Sequence, residues 1–281
     1  MENCTITAEQ IENFAIYLRN QERAEGTVSK YLHDVRAFAV WMDGRSVTKE
    51  TVAGWKEHLC ECGYAPVTVN SMLAALHSFF DFAEISGCKV KYLKIQRRVF
   101  RDPVRELGRG EYERLVAAAR ETGKGRLALL METIAATGIR VSEVKYITVE
   151  AARQGRTEIA LKGKIRTILV PNKLARKLLK YAKKQKIASG EIFITGSGKS
   201  ISRRQIWAEM KQLCKYAGVE PSKVFPHNLR HLFAVAHYKA YKDIAKLADV
   251  LGHSSIETTR IYLLTSGAEH ARQLDRLGLV S

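Results

Sequence analysis

Along its first hundred residues the chain places apolar side chains at three- and four-residue steps, the period of amphipathic helices. Thr7 and Gln10 form a capping-box signature that opens a first helix over 7–20. After Gly26 and Thr27, the residues Tyr31, Val35, Phe38 and Met42 keep helical spacing and predict a second helix over 28–42. Thr48 caps a third helix, to about residue 60. Pro66 and Thr68 begin a fourth, with Leu73, Leu76, Phe80 and Phe82 among its apolar positions, and Gly87 ends it. Phe79, Phe80 and Phe82 are read as core of this bundle rather than as a base-stacking surface.

From residue 88 to 102 the period disappears. The stretch is basic, contains Lys94, Arg97, Arg98 and Arg101, and ends at Pro103, which marks a connection able to touch a nucleic-acid backbone. Beyond it the pattern is mixed but mainly helical. Helices are predicted over 109–120 and 126–136, the second stopped at Thr137-Gly138. Two short β-like runs, 158–161 and 167–170, flank Lys162-Gly-Lys-Ile-Arg166 and predict a hairpin with a basic turn. A strongly basic helix follows over 173–186, and Ser202 with Gln205 caps another to 217. Pro226 and Asp243 stand near the starts of two more, the latter ended by Gly252. Ser254 and Glu257 cap a short helix carrying Tyr262 on its last turn, and an amphipathic segment over 268–277 comes last. The fold class expected is mainly α with a small β-hairpin: a helical N-terminal domain over 1–92, a linker over 93–103 and a mixed α/β domain over 104–281.

Charge sharpens this division. The chain of 281 residues has a net charge of +17. Residues 1–100 hold 12 basic and 12 acidic side chains, so the whole excess lies in the second part. A polyanionic partner is implied, nucleic acid before membrane. Five cysteines (Cys4, Cys60, Cys62, Cys88, Cys214) show no metal or redox spacing and are expected as reduced thiols. The acidic N-terminus lacks a signal-peptide core, and no apolar run approaches the ~20 residues of a membrane span. A cytoplasmic, DNA-associated protein is expected.

The same second part holds the candidate chemistry. Gly196-Ser-Gly-Lys-Ser200 has the ending of a phosphate-binding loop, but Phe193 occupies the place of its first glycine, so nucleotide binding is set aside. Gly138 permits a left-handed helix stop that presents Arg140 at the mouth of the next helix, with Glu143 three residues on to orient it. His227 and Arg230 are also three apart and share a helical face; His231 is read as structural. Leu251-Gly-His253 and Tyr262 follow. An arginine with two imidazoles can hold a phosphodiester, and a tyrosine hydroxyl, which ionises near pH 10, can attack it when cations neutralise the developing charge. No metal or cofactor is called for.

In order, Thr-Gly-x-Arg140-x-x-Glu143, a hairpin lysine, His227-x-x-Arg230, Leu-Gly-His253 and Tyr262 resemble the tyrosine recombinase (phage integrase) family over nearly the whole chain, with a two-domain plan similar to the Xer type. The resemblance implies a SAM-like core-binding domain, then a catalytic domain that cuts and rejoins DNA through a 3′-phosphotyrosyl intermediate. It implies that Arg140 and Arg230 clamp the scissile phosphate, that His227 and His253 hydrogen-bond it, that Tyr262 attacks, that Glu143 supports the site, and that a hairpin lysine protonates the leaving 5′-oxygen. Lys162 matches the family's Lys-Gly turn, with Lys164 as the alternative. Double-stranded DNA with inverted-repeat core sites, a tetramer on DNA and a C-terminal helix docking on a neighbouring protomer are implied likewise. The alternatives are relaxation of DNA by type IB topoisomerase chemistry and DNA binding without catalysis. Integration, excision, inversion and dimer resolution stay open as the biological task of a bacterial, phage or mobile-element enzyme.

Overall fold

The computed structural model describes residues 5–95, 106–161, 164–263 and 275–277, with only the backbone at 160, 161, 164 and 263. The chain divides into two compact units, Met1–Arg97 and Arg98–Ser281.

In the first unit four helices follow one another: α1 (Ala8–Asn20), α2 (Glu25–Met42), α3 (Lys49–Glu61) and α4 (Pro66–Phe82). Thr7 and Thr48 each accept a hydrogen bond from the backbone N–H three residues on and donate their own backbone N–H to that residue's side-chain oxygen. Both helices therefore begin where the capping residues dictate. The buried faces meet in an aromatic core, in which Phe14 packs edge-on against Phe79 at 5.3 Å and Phe38 against Phe80 at 6.3 Å. Helix α4 stops earlier than the glycine rule suggests. Its chain reverses at Glu84, which takes φ +56°, so Gly87 lies beyond the end. Residues 88–93, which show no helical period, fold back on this unit. Asn70 receives the Leu93 amide at 2.8 Å and donates to the Leu93 carbonyl at 2.9 Å, while Cys88 is buried. The remainder of the predicted linker, 96–103, lies outside the described residues.

The second unit is organised on α6 (Gly125–Thr137), whose Leu127, Leu130, Met131 and Ile134 are all buried. A helix apolar around most of its circumference needs neighbours on several sides. Helices α5 (Arg109–Glu121), α8 (Asn172–Lys184), α9 (Arg203–Ala217) and α10 (Pro226–Tyr241) pack on it. Between them run a 3₁₀ segment (Val141–Tyr146), a short α7 (Val149–Gln154) and an antiparallel hairpin of β1 (Arg156–Leu161) and β2 (Lys164–Leu169). Helix α7 was not foreseen, because six residues between Thr148 and a left-handed Gly155 are too few to show a period. The second strand also begins closer to the turn than expected. Lys164, Ile165 and Arg166 belong to β2, not to the loop. The Gly196-Ser-Gly-Lys-Ser200 segment is a tight turn closed by the Thr195 amide on the Lys199 carbonyl at 2.7 Å.

After α10 come α11 (Ile244–Leu251), α12 (Ile256–Arg260) and a single 3₁₀ turn (Ile261–Leu263). Ser255, rather than Ser254, caps α12. Tyr262 sits in the 3₁₀ turn just past that helix instead of on its last turn. Most of the predicted C-terminal helix lies outside the described residues.

Candidate active site

Five elements converge on one cleft of about 860 Å³, lined among others by Arg140, His227, Arg230, His253 and Tyr262. Each arrives by a local device. Helix α6 ends at Gly138, with φ +65°, and an added Cβ there would stand 2.4 Å from the Phe233 ring. That turn delivers Arg140 as the cap of the 3₁₀ segment. Pro226 opens α10 and sets His227 on its first turn and Arg230 three residues on, where both reach the cleft. Gly252 ends α11 with φ +64° and releases His253. Tyr262 is only 6% exposed, and its ring is walled by three imidazoles: His231 at 5.2 Å, His253 at 5.9 Å and His227 at 6.1 Å.

Arg230 is 2% exposed and held from two sides. It donates to the Gly138 carbonyl, to the Leu251 carbonyl at 2.8 Å and to His253 Nε2 at 2.9 Å. Burial, then the charges of Arg140 and Arg166, pull its pKa down to about 10, with the Tyr262 hydroxyl acting in the opposite sense. Because an arginine only donates, His253 accepts at Nε2 and its proton sits on Nδ1, directed to Thr259 Oγ1 at 2.8 Å. Burial and the four cationic or imidazole neighbours Arg230, Arg140, Arg166 and His227 lower the His253 pKa to about 4. His227 is exposed to the cleft, and desolvation followed by Arg230 and Arg140 also lowers its pKa.

Glu143 does more than orient Arg140. It is 1% exposed, accepts from the Arg140 backbone at 2.8 Å and from its guanidinium at 2.9 Å, and accepts from Arg166 at 2.7 Å. Burial would raise its pKa, but the Arg140 backbone donor and the charges of Arg166 and Arg140 prevail and hold the carboxyl below its usual range. A surface ion pair would show none of this. Arg166 also donates to the Val250 carbonyl at 2.8 Å, and thereby ties the hairpin to the end of α11.

Arg166 and Thr259 are the residues that sequence reasoning missed. The sequence pattern puts Arg166 in the turn; with β2 starting at Lys164, strand alternation sends Arg166 inward with buried Ile168 and leaves Ile165 and Leu169 exposed. Thr259 is fully buried and carries no sequence signal. Arg203, Arg204 and Trp207 at the start of α9 also line the cleft. His231 lies 3.6 Å from Glu106 and packs edge-on against Tyr262. Lys162 lies outside the described residues, as does the side chain of Lys164. Among the described residues no group of three or more His, Cys, Asp or Glu is placed to hold a metal ion, and no helix is long and apolar enough to cross a membrane.

The family model described as Phage integrase family matches residues 105–268, and that for the phage integrase N-terminal SAM-like domain matches 11–87. The chain is 30% identical to the tyrosine recombinase XerC of Roseiflexus castenholzii, over 90% of this chain and 88% of that one. It is 29% identical to the tyrosine recombinase XerA of Thermococcus kodakarensis, over 94% and 93%. Its fold is similar to that of a lambda integrase tetramer bound to a Holliday junction, with a TM-score of 0.72 at 19% identity over 93% of this chain and 78% of that one.

Proposed function

The chain belongs to the phage integrase family and is a tyrosine-type site-specific recombinase, and on that premise we propose how its own residues divide the work. Arg140 and Arg230 hold the non-bridging oxygens of the scissile phosphate. Their planar forks bond phosphate at two points, and both are fixed by protein partners before any substrate arrives. His227 donates a hydrogen bond to the same phosphate, and His253 does so in the tautomer with its proton on Nε2, Nδ1 then accepting from the Thr259 hydroxyl while the Arg230 N–H turns to the phosphate. His227, kept neutral by its lowered pKa, takes the phenolic proton of Tyr262. The Tyr262 oxygen attacks phosphorus, a 3′-phosphotyrosine forms, and the bond to the 5′-oxygen breaks. Lys162, or Lys164 beside it, gives that oxygen its proton. Attack by the freed or an exchanged 5′-hydroxyl reverses the step, so the phosphodiester energy is conserved.

The observation that carries this reading is the convergence of Arg140, His227, Arg230, His253 and Tyr262 on one cleft. Clustered cations there meet the charge of the transition state. Glu143 and Thr259 act behind them, the first by positioning two arginines and the second by fixing the His253 ring. Residues 1–92 form the core-binding domain, 93–103 the linker and 104–281 the catalytic domain. The partner is double-stranded DNA with inverted-repeat core sites, and four protomers assemble on two such sites in the cytoplasm. Type IB topoisomerase chemistry would use the same groups, but the relatives matched over both units are named recombinases.

The test is Tyr262→Phe on a nicked suicide substrate. Covalent protein–DNA adducts are expected to disappear while DNA binding persists. Adducts that survive the substitution remove Tyr262 from the role.

A further inference from the structure

Helix α8 carries Lys173, Arg176, Lys177, Lys180, Lys183 and Lys184 and no acidic residue. All six are exposed, as is Lys186 just beyond. The apolar face, with Leu174, Ala175, Leu178 and Ala182, is buried against the unit, so the cations cover the outer side of a helix about 20 Å long. They stand at spacings that repel. Residues 173 and 177, 176 and 180, and 180 and 184 are four apart, and 173 and 176, 177 and 180, and 180 and 183 are three apart. Like charges at these steps weaken a helix, and Lys173 in its first turn opposes the helix dipole as well. Among the described residues the ion pair on this helix is Lys177 with Glu132, an acid that Arg120 shares. A groove of about 440 Å³ between α7 and α8 adds Arg153 and Lys186 beside Lys183. Among the described residues, none of those lining the catalytic cleft comes from α7 or α8.

A helix kept self-repelling, with its charges in a row, fits a partner that is itself a row of opposite charges. We infer that the outer face of α8 binds the phosphate backbone of a second DNA duplex, separate from the one held in the cleft. Duplex DNA presents one phosphate charge per ~1.7 Å of its axis, a density that a line of cations matches without reading sequence. The contact therefore gathers DNA to the enzyme beyond its target site and shows no base preference.

This rests on the proposed Tyr262 chemistry only for its test, which separates the two. The full chain is trapped as the covalent adduct on a short suicide duplex, so that the cleft is filled, and a labelled random-sequence duplex is then titrated in. Failure to form the adduct speaks against the cleft assignment and is seen before the second step. The wild-type adduct is expected to capture the second duplex. An adduct of the Lys173→Gln, Arg176→Gln, Lys180→Gln, Lys183→Gln variant is expected to form at the same rate yet bind the second duplex at least about tenfold more weakly. Its plot of log affinity against log salt is expected to flatten by ~0.9 for each phosphate contact removed. Unfolding of the variant, followed by circular dichroism, checks that the helix persists. No capture by the wild-type adduct, or equal capture and equal salt slope in the variant, overturns the inference.

Discussion

Replacing Gly252 by alanine probes how tightly the site is built. An ideal Cβ at this position stands 2.4 Å from Arg166 Cδ and 3.0 Å from its Nε, and the residue has φ +64°. Two costs follow. The left-handed backbone strains any L-residue by about 1–2 kcal/mol. The methyl also displaces Arg166, which gives up its bond to the Val250 carbonyl at 2.8 Å and its ion pair with Glu143 at 2.7 Å. Hydrogen bonds to charged groups contribute about 1.5–3 kcal/mol each, so losing even one brings the total to roughly 3–5 kcal/mol. In an Arg166→Ala background the clash is gone and only the strain of about 1–2 kcal/mol is left. Urea denaturation by circular dichroism on the four proteins of this cycle should give a coupling of roughly 2 kcal/mol. Adduct formation should fall with Gly252→Ala, because His253 is the next residue and Arg140 leans on the Gly252 carbonyl at 3.5 Å. If Gly252→Ala costs the same with and without Arg166, the two do not compete for that space and the latch between hairpin and cleft is wrongly drawn.

The remaining predictions concern protons. His253 has a folded pKa of about 4 against an ordinary 6.5, so as pH falls below 6.5 the unfolded chain binds a proton that the folded one refuses until about 4. Stability is complete above that window and lost across it, by on the order of 1–2 kcal/mol after solvent screening of a half-exposed ring. His253→Gln should flatten this part of the pH–stability curve, and an unchanged curve would contradict the assignment. Glu143 and His227, present in both proteins, cancel in the comparison; the Glu143 contribution is lost only as pH falls below the ordinary carboxylate value. For the general acid, Lys162→Ala and Lys164→Ala can be compared on DNA with a 5′-bridging phosphorothiolate, whose sulfur leaves without a proton. The Lys162→Ala defect is expected to be rescued, and rescue of Lys164→Ala alone would transfer the role.

Much of this molecule is written in its sequence, for local reasons. Thr7, Thr48 and Ser202 cap helices through backbone groups three residues away, so no distant contact is needed to place those starts. The apolar period of α2 and α4 names their buried faces, and Gly138 and Gly252 mark two stops because their backbones need positive φ. The order Arg140, Glu143, His227, Arg230, His253, Tyr262 could be read because the residues taken together resemble the motifs of the tyrosine recombinase family, whereas each pair alone also fits a purely structural role. Tertiary structure decided the rest. Arg166 faces inward only because the register pairs it with Ile159 and the strand begins at Lys164, a fact set by pairing across the hairpin. Thr259 matters because α12 packs so that its hydroxyl meets the His253 ring, which six residues of sequence separation do not foretell. The lowered pKa values of His253 and Arg230 arise in the same way. Burial shifts them together with the field of arginines from other elements, three acting on His253 and two on Arg230, and both depend on distances through space rather than along the chain.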